Sequence, residues 1–360
     1  MRSAITFFSE INNNLLHFLL PLPPYQLTLN KLRNMKKWIY TLMAAIVATA
    51  MVACTSDDDG EGGGSENGGG NGGSVSEDCT IEMTLDYGDE ISSLRIGTLE
   101  PEEITVDWGD GTVETFMTEP YHEEHSYWLN DYYAINFTHE YGERVEDMPV
   151  KVTGKKIVGL HSYGVRFNEV DVTRCETLEY IKLATTMTTF DVSHQPKLVE
   201  LLLGDSPAIA NLNLGDKSEL ANLRCSGRLT DLDLSACPKL EYAYLSFNEL
   251  TSLKIGSNEK LTKLYCVGNQ LTSLDVSGCT SLNHLECQEN QLTSLNVEGC
   301  ESLRSLDCGF NQFTEDAMTE VYEALPDVGD FGNGQLYFDK YEYGDIAIAH
   351  EKGWRIYVDD

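Results

Sequence analysis

The sequence predicts a mainly β chain in three folded parts. A small β-sandwich is expected over 79–155, a solenoid of stacked repeats over 156–313, and a small α/β cap over 314–360. Two observations carry this. Asparagines fall at 248, 269, 290 and 311, a step of 21 residues each time (269 − 248, 290 − 269, 311 − 290). A fixed period of this size marks stacked units, none of which can bury its apolar side alone. Ahead of the repeats, short segments alternate apolar and polar residues, as half-buried strands do.

The N-terminus reads as an address. From Met35 the chain runs Met-Lys36-Lys37-Trp-Ile-Tyr-Thr-Leu-Met-Ala-Ala-Ile-Val-Ala-Thr-Ala-Met51-Val52-Ala53-Cys54. Two lysines, an apolar run and small residues make up a secretory signal peptide, and the run is shorter than the roughly 20 residues of a membrane span. Residues 35–53 are thus expected to be a signal peptide and 1–34 an overlong extension ahead of the true start. Met51-Val52-Ala53-Cys54 resembles a bacterial lipobox, which implies lipidation of Cys54 and attachment to a membrane through that lipid. Cys54-Thr-Ser-Asp57-Asp58-Asp59 resembles the surface-export signal of Bacteroidota lipoproteins, implying an outer-membrane lipoprotein exposed at the cell surface. Residues 54–78 are rich in Gly, Asn, Ser and acids, cannot bury a core, and serve as a flexible tether.

Charge narrows the partners. The chain carries 58 acidic and 25 basic residues, a formal charge of −33. Its first 53 residues hold five basic residues and one acidic one, so a chain starting at Cys54 carries 20 − 57 = −37. Phosphate backbones are bound mainly through Lys and Arg, so nucleic acid is not an expected partner.

In the sandwich region, Thr80–Leu85, Ile104–Trp108, Tyr133–Phe137 and Met148–Val152 read as strands. Asp110-Gly111 between alternating segments is a hairpin signal, because both residues tolerate positive φ. Trp108-Gly-Asp-Gly-Thr112, with His139-Glu-Tyr141 and Val150-Lys-Val152-Thr-Gly154, resembles the PKD-like, immunoglobulin-type sandwich of exported proteins. Trp108 is expected in its core. Asp107 and Asp110 are expected to shape the turn, since they lack the D-x-D-x-D-G spacing of a calcium loop. His122-Glu-Glu-His125 lacks the H-E-x-x-H spacing that puts two histidines on one helix face.

The repeats come next. Leu261-Thr-Lys-Leu264-Tyr-Cys266-Val-Gly-Asn269-Gln-Leu271 aligns without a gap on Leu282-Asn-His-Leu285-Glu-Cys287-Gln-Glu-Asn290-Gln-Leu292. This L-x-x-L-x-C-x-x-N-x-L pattern resembles the leucine-rich-repeat signature, which implies short strands on a concave face. Return segments start at Val170, Phe190, Leu212, Leu232, Leu253, Leu274 and Leu295, giving about seven coils. Stacked at about 4.8 Å each, they make a solenoid on the order of 30 Å long. Coils this short leave no room for a helix on the outer side, so extended or 3₁₀ segments are expected there.

Cysteines form two ladders. Cys225, Cys266, Cys287 and Cys308 hold an inward strand position that Leu203 and Leu245 fill elsewhere. Cys175, Cys237, Cys279 and Cys300 hold the turn after the return segment, where Gln195, Lys217 and Asn258 substitute. An exported protein can form disulfides, but in-register side chains run parallel and rarely reach the required dihedral. Buried free thiols acting as small hydrophobes are expected. No C-x₂-C pair suggests zinc. The four asparagines should bond backbone in adjacent coils.

After the last asparagine, Met318, Val321, Tyr322 and Leu325 fall at helical spacing behind Thr314, with Pro326 and Gly329 as stops. Gln335–Phe338, a short helix near Ile346–His350 and Trp354–Val358 complete the cap that an open solenoid end requires.

Residues between the inward leucines point out of the concave sheet. Among them Tyr242, Tyr244 and Tyr265, flanked by Arg224 and His284, form a candidate ligand-binding patch. Exposed tyrosines supply rigid contact area and a hydroxyl. Enzymatic chemistry is not expected: the eight histidines are scattered, and no G-x-S-x-G or P-loop occurs. Neither a metal nor a cofactor is expected. The sequence therefore points to a non-catalytic, surface-tethered protein whose concave face binds a host or environmental protein or glycan, in adhesion or ligand capture. The alternative is a structural or scaffold subunit of an outer-membrane assembly.

Overall fold

The computed structural model describes residues 78–86, 91–121, 132–141, 147–204, 206–329, 333–339 and 344–358. Cys54, the signal peptide, the tether and the His122/His125 pair lie outside the described residues.

The first strands are β1 (Asp78–Leu85), β2 (Ile91–Thr98), β3 (Glu103–Asp107), β4 (Val113–Met117), β5 (Glu119–Tyr121), β6 (Tyr132–His139), β7 (Met148–Lys155) and β8 (Ile157–Arg174). They pair antiparallel in two layers that share β8. One layer runs β4-β3-β7-β1 and ends on the second half of β8, with Glu82 opposite Asp171. The other runs β5-β6-β2 and ends on its first half, with Gly97 opposite Gly159. Alternation builds the core between them. Ile81, Met83 and Leu85 of β1 are buried, as are Leu94 and Ile96 of β2. Trp108, fully buried, packs edge-on to Phe137 at 6.0 Å and stacks on His139 at 4.5 Å. The Tyr141 hydroxyl donates to the Trp108 carbonyl at 3.1 Å, and the Trp108 indole donates to Glu114 at 2.7 Å.

The expected hairpin is present, with Asp107 opposite Val113, but its turn differs from the Asp-Gly form. Positive φ falls on Gly109 (80°) and Gly111 (92°), not on Asp110. Asp110 instead accepts from the Thr112 amide at 2.9 Å, while Asp107 accepts from the Gly109 amide at 3.0 Å. The two carboxylates shape the loop, and Asp110 also meets His139 at 2.9 Å.

Only Lys156 separates β7 from β8. β8 then carries the chain into the repeats, pairing parallel with the next strand while still bonded to β2. The segment beginning at Val170 pairs with β1 as well as serving as the first return segment.

The remaining strands are β9 (Tyr180–Thr185), β10 (Thr189–Asp191), β11 (Glu200–Leu203), β12 (Asn211–Asn213), β13 (Asn222–Cys225), β14 (Asp231–Asp233), β15 (Tyr242–Tyr244) and β16 (Ser252–Lys254). They continue as β17 (Lys263–Tyr265), β18 (Ser273–Asp275), β19 (His284–Glu286), β20 (Ser294–Asn296) and β21 (Ser305–Asp307). Helix α1 (Glu315–Ala324), β22 (Gly334–Phe338), α2 (Ile346–Glu351) and β23 (Trp354–Val358) end the chain. The protein is thus mainly β, with a long β-solenoid and few helices among the described residues.

The long parallel sheet, which takes the place of the expected concave face, runs β8-β9-β11-β13-β15-β17-β19-β21-β22-β23. It is longer than the seven coils expected, making about nine turns. β8 joins its front, and β22 and β23 join its end without the asparagine and cysteine marks. On the outer side three-residue strands pair as β10–β12, β14–β16 and β18–β20, in keeping with coils too short for a helix.

The asparagine ladder stitches coil to coil. Asn290 donates to the carbonyls of Cys266 in the previous coil (2.9 Å) and Cys287 in its own (3.1 Å), and accepts from the Leu271 amide (3.0 Å). Asn248, Asn269 and Asn311 repeat the pattern. The residue before each is left-handed, at Phe247 (62°), Gly268 (66°), Glu289 (56°) and Phe310 (54°). That turn swings the amide inward.

The cysteines need one correction. Cys175 is not a free thiol: it is disulfide-bonded to Cys79 of β1. The barrier argued for ladder neighbours does not apply, since Cys79 approaches from an antiparallel strand outside the ladder. Cys225, Cys237, Cys266, Cys279, Cys287, Cys300 and Cys308 are free and buried. The cap closes the apolar end. Thr314 caps α1 by accepting from the Ala317 amide at 3.2 Å, and Met318, Val321 and Tyr322 are fully buried. Trp354, 1% exposed, donates to the Pro326 carbonyl at 2.9 Å.

Candidate functional site

Parallel register decides which outward residues of the long sheet meet. Leu223, Ala243, Leu264 and Leu285 are aligned and fully buried, so their neighbours on each strand face outward together. Arg224, Tyr244, Tyr265 and Glu286 stand in one row, and Asn222, Tyr242, Lys263 and His284 in the next.

All five candidate residues come together. The Arg224 guanidinium lies over the Tyr244 ring at 4.8 Å. Tyr265 sits 5.7 Å from Tyr244, 5.5 Å from Tyr242 and 5.2 Å from His284, with rings tilted rather than stacked. His284 Nε2 meets Glu286 Oε1 at 2.8 Å, which fixes the imidazole at the patch border. Tyr265 is therefore the hub.

One expectation fails in detail. Tyr244 is not an exposed tyrosine; it is 6% exposed, covered by Arg224 and Tyr265. Tyr242 and Tyr265 are half-buried and present the accessible surface. Burial pushes the Tyr242 phenol up to about 12, with Arg224 opposing and Tyr244 and Glu286 adding to the rise. Burial likewise raises Tyr244 and Tyr265. The phenols stay neutral at any physiological pH and act as hydrogen-bonding groups on flat apolar rings.

Sequence reasoning missed the front of this surface. Arg95, Gly97, Tyr121, Tyr132, Ala134, Gly159 and His161 line a half-open hollow of about 30 Å³. The Arg95 guanidinium covers the Tyr121 ring at 4.4 Å. Gly97 and Gly159 face each other across β2 and β8, and the missing side chains leave the hollow. Their adjacency depends on antiparallel pairing over about 60 residues, which no local pattern signals. Among the described residues no cluster of His, Cys, Asp or Glu is arranged to hold a metal ion.

No protein-family model and no curated protein matches the sequence. Solved structures similar to it include two leucine-rich-repeat proteins. One is the functional domain of InlJ from Listeria monocytogenes, which includes a cysteine ladder; it is 26% identical, with a TM-score of 0.42, over 53% of this chain and 46% of that one. The other is YopM from Yersinia enterocolitica, 18% identical with a TM-score of 0.26, over 46% of this chain and 44% of that one. The chain thus spans under half the length of either.

Proposed function

We propose that this chain is a non-catalytic, surface-tethered binding protein. A lipid on Cys54 anchors it, residues 54–78 hold it off the membrane, and a PKD-like sandwich presents the repeats. The concave face engages a host or environmental protein or glycan. The observation that carries this reading is the contiguous surface of Arg224, Tyr242, Tyr265 and His284, ordered by ring contacts and by the His284–Glu286 bond. Ordered aromatic groups bind at low entropic cost.

The test is an array of glycans and matrix proteins probed with the full chain and with Tyr242→Ala/Tyr265→Ala. Both side chains are partly open to solvent, so the variant should keep its circular dichroism. Loss of the bound signals supports the reading, and unchanged binding to every bound probe rejects it.

A further inference from the structure

The candidate row does not stop at the first repeat. Because β8 pairs with β9 on one edge and β2 on the other, register carries it from Tyr265 and Tyr244 through Arg224, Leu202 and Lys182 to His161 and Arg95. From Arg95 to Tyr265 the row crosses six strand intervals, about 29 Å at 4.8 Å each. It is one strip of sheet spanning the sandwich and the repeats.

Its charge runs against that of the chain. The whole sequence carries −33, yet between β2 and β17 the two outward rows hold Arg95, Lys182, Arg224 and Lys263 against one acid, Glu200. Beyond Tyr265 the sign reverses, and Glu286 and Asp307 follow in the same row. The crowding of cations is felt locally. Burial, then Lys182 and Arg95, bring the His161 imidazole down to about 3, so it stays neutral. Like charges held together on a partly desolvated face repel, and an anion laid over them relieves that repulsion.

We propose that the ligand of the concave face is an acidic polysaccharide, lying across the strands with sugar rings on Tyr242 and Tyr265 and its carboxylates or sulfates over Arg224, Lys182 and Arg95. This rests on the concave-face reading above and adds the ligand class. Repeating rungs suit a repeating polymer, and half-buried tyrosines offer flat faces and hydroxyls to sugar rings.

Titration calorimetry on the full chain tests this, with polygalacturonate as the carboxylate probe and heparin as the sulfate-rich one. Dextran, poly-L-glutamate and duplex DNA serve as contrasts. At least one acidic polysaccharide should bind, and Lys182→Gln/Arg224→Gln should weaken it by about tenfold or more. Lys182→Arg/Arg224→Lys, which keeps both charges, should restore most of the affinity and guards against misfolding. If neither acidic polysaccharide binds, or the charge-removing variant binds as well as the parent, the proposal fails. If poly-L-glutamate or DNA binds more tightly than both, it also fails. If dextran binds, is lost in Tyr242→Ala/Tyr265→Ala and is untouched by Lys182→Gln/Arg224→Gln, the acidic ligand is wrong while the concave face stands.

Discussion

Cys79, at the start of β1, is covalently joined to Cys175, the residue after β8, across 96 residues of sequence. Closing a loop of that size restricts the unfolded chain far more than the folded one.

Reduction should therefore lower stability by about 2–4 kcal/mol. Urea midpoints with and without dithiothreitol measure it: the parent should shift, and Cys79→Ser should begin low and not shift further. The ladder thiols should behave differently. Burial pushes Cys225 and Cys266 up to about 12, so in the folded protein at pH 8 they should not react with Ellman's reagent until denaturant is added.

The asparagine ladder predicts a steep local cost. Asn290→Ala removes one acceptor and two donations among buried backbone groups. A loss of about 3 kcal/mol is expected, against roughly half a kcal/mol or less for exposed Gln291→Ala next door. Denaturant midpoints of the two variants give the comparison.

Glu200 makes stability depend on pH. Burial raises its carboxyl to about 7, opposed by Lys182. Between the ordinary carboxylate range and about 7 the unfolded chain has released this proton while the folded chain keeps it. The folded state then binds more protons, and stability falls as pH rises through that window. Glu200→Gln should be more stable than the parent by up to about 3 kcal/mol at pH 8, with the gain gone at pH 4. Equal gains at both pH values would refute this origin.

The Trp108 turn separates two glycine effects. A β-carbon on Gly109 would sit 2.2 Å from the Pro149 carbonyl oxygen, whereas one on Gly111 meets nothing within 4 Å. Both have positive φ. Gly111→Ala should cost about 1–2 kcal/mol from backbone strain alone, and Gly109→Ala clearly more, read from thermal midpoints.

What was legible in the sequence follows from this physics. A 21-residue period fixes parallel register, so the adjacency of Tyr244 and Tyr265, which are 21 apart, can be read from spacing alone. The roles of Asn290 and Trp108 follow from repetition and from alternation. The Cys79–Cys175 bond was not legible, because Cys79 stands outside the period and meets Cys175 through long-range antiparallel pairing. The link from His161 to Arg95 was hidden for the same reason, since β2 reaches β8 across some 60 residues with a register shift at Thr98. Burial of Tyr244 was not legible either, because it depends on where a neighbour's long side chain comes to rest.

β8 leaves no hinge between the early strands and the coils. An 18-residue strand bonded to β1, β2 and β9 offers a protease no open joint between the early strands and the coils. Nor does it let one part swivel on the other. A ligand seated on Tyr265 would therefore keep a fixed bearing toward Trp108 at the far end, and any pull on it would be shared by every rung between.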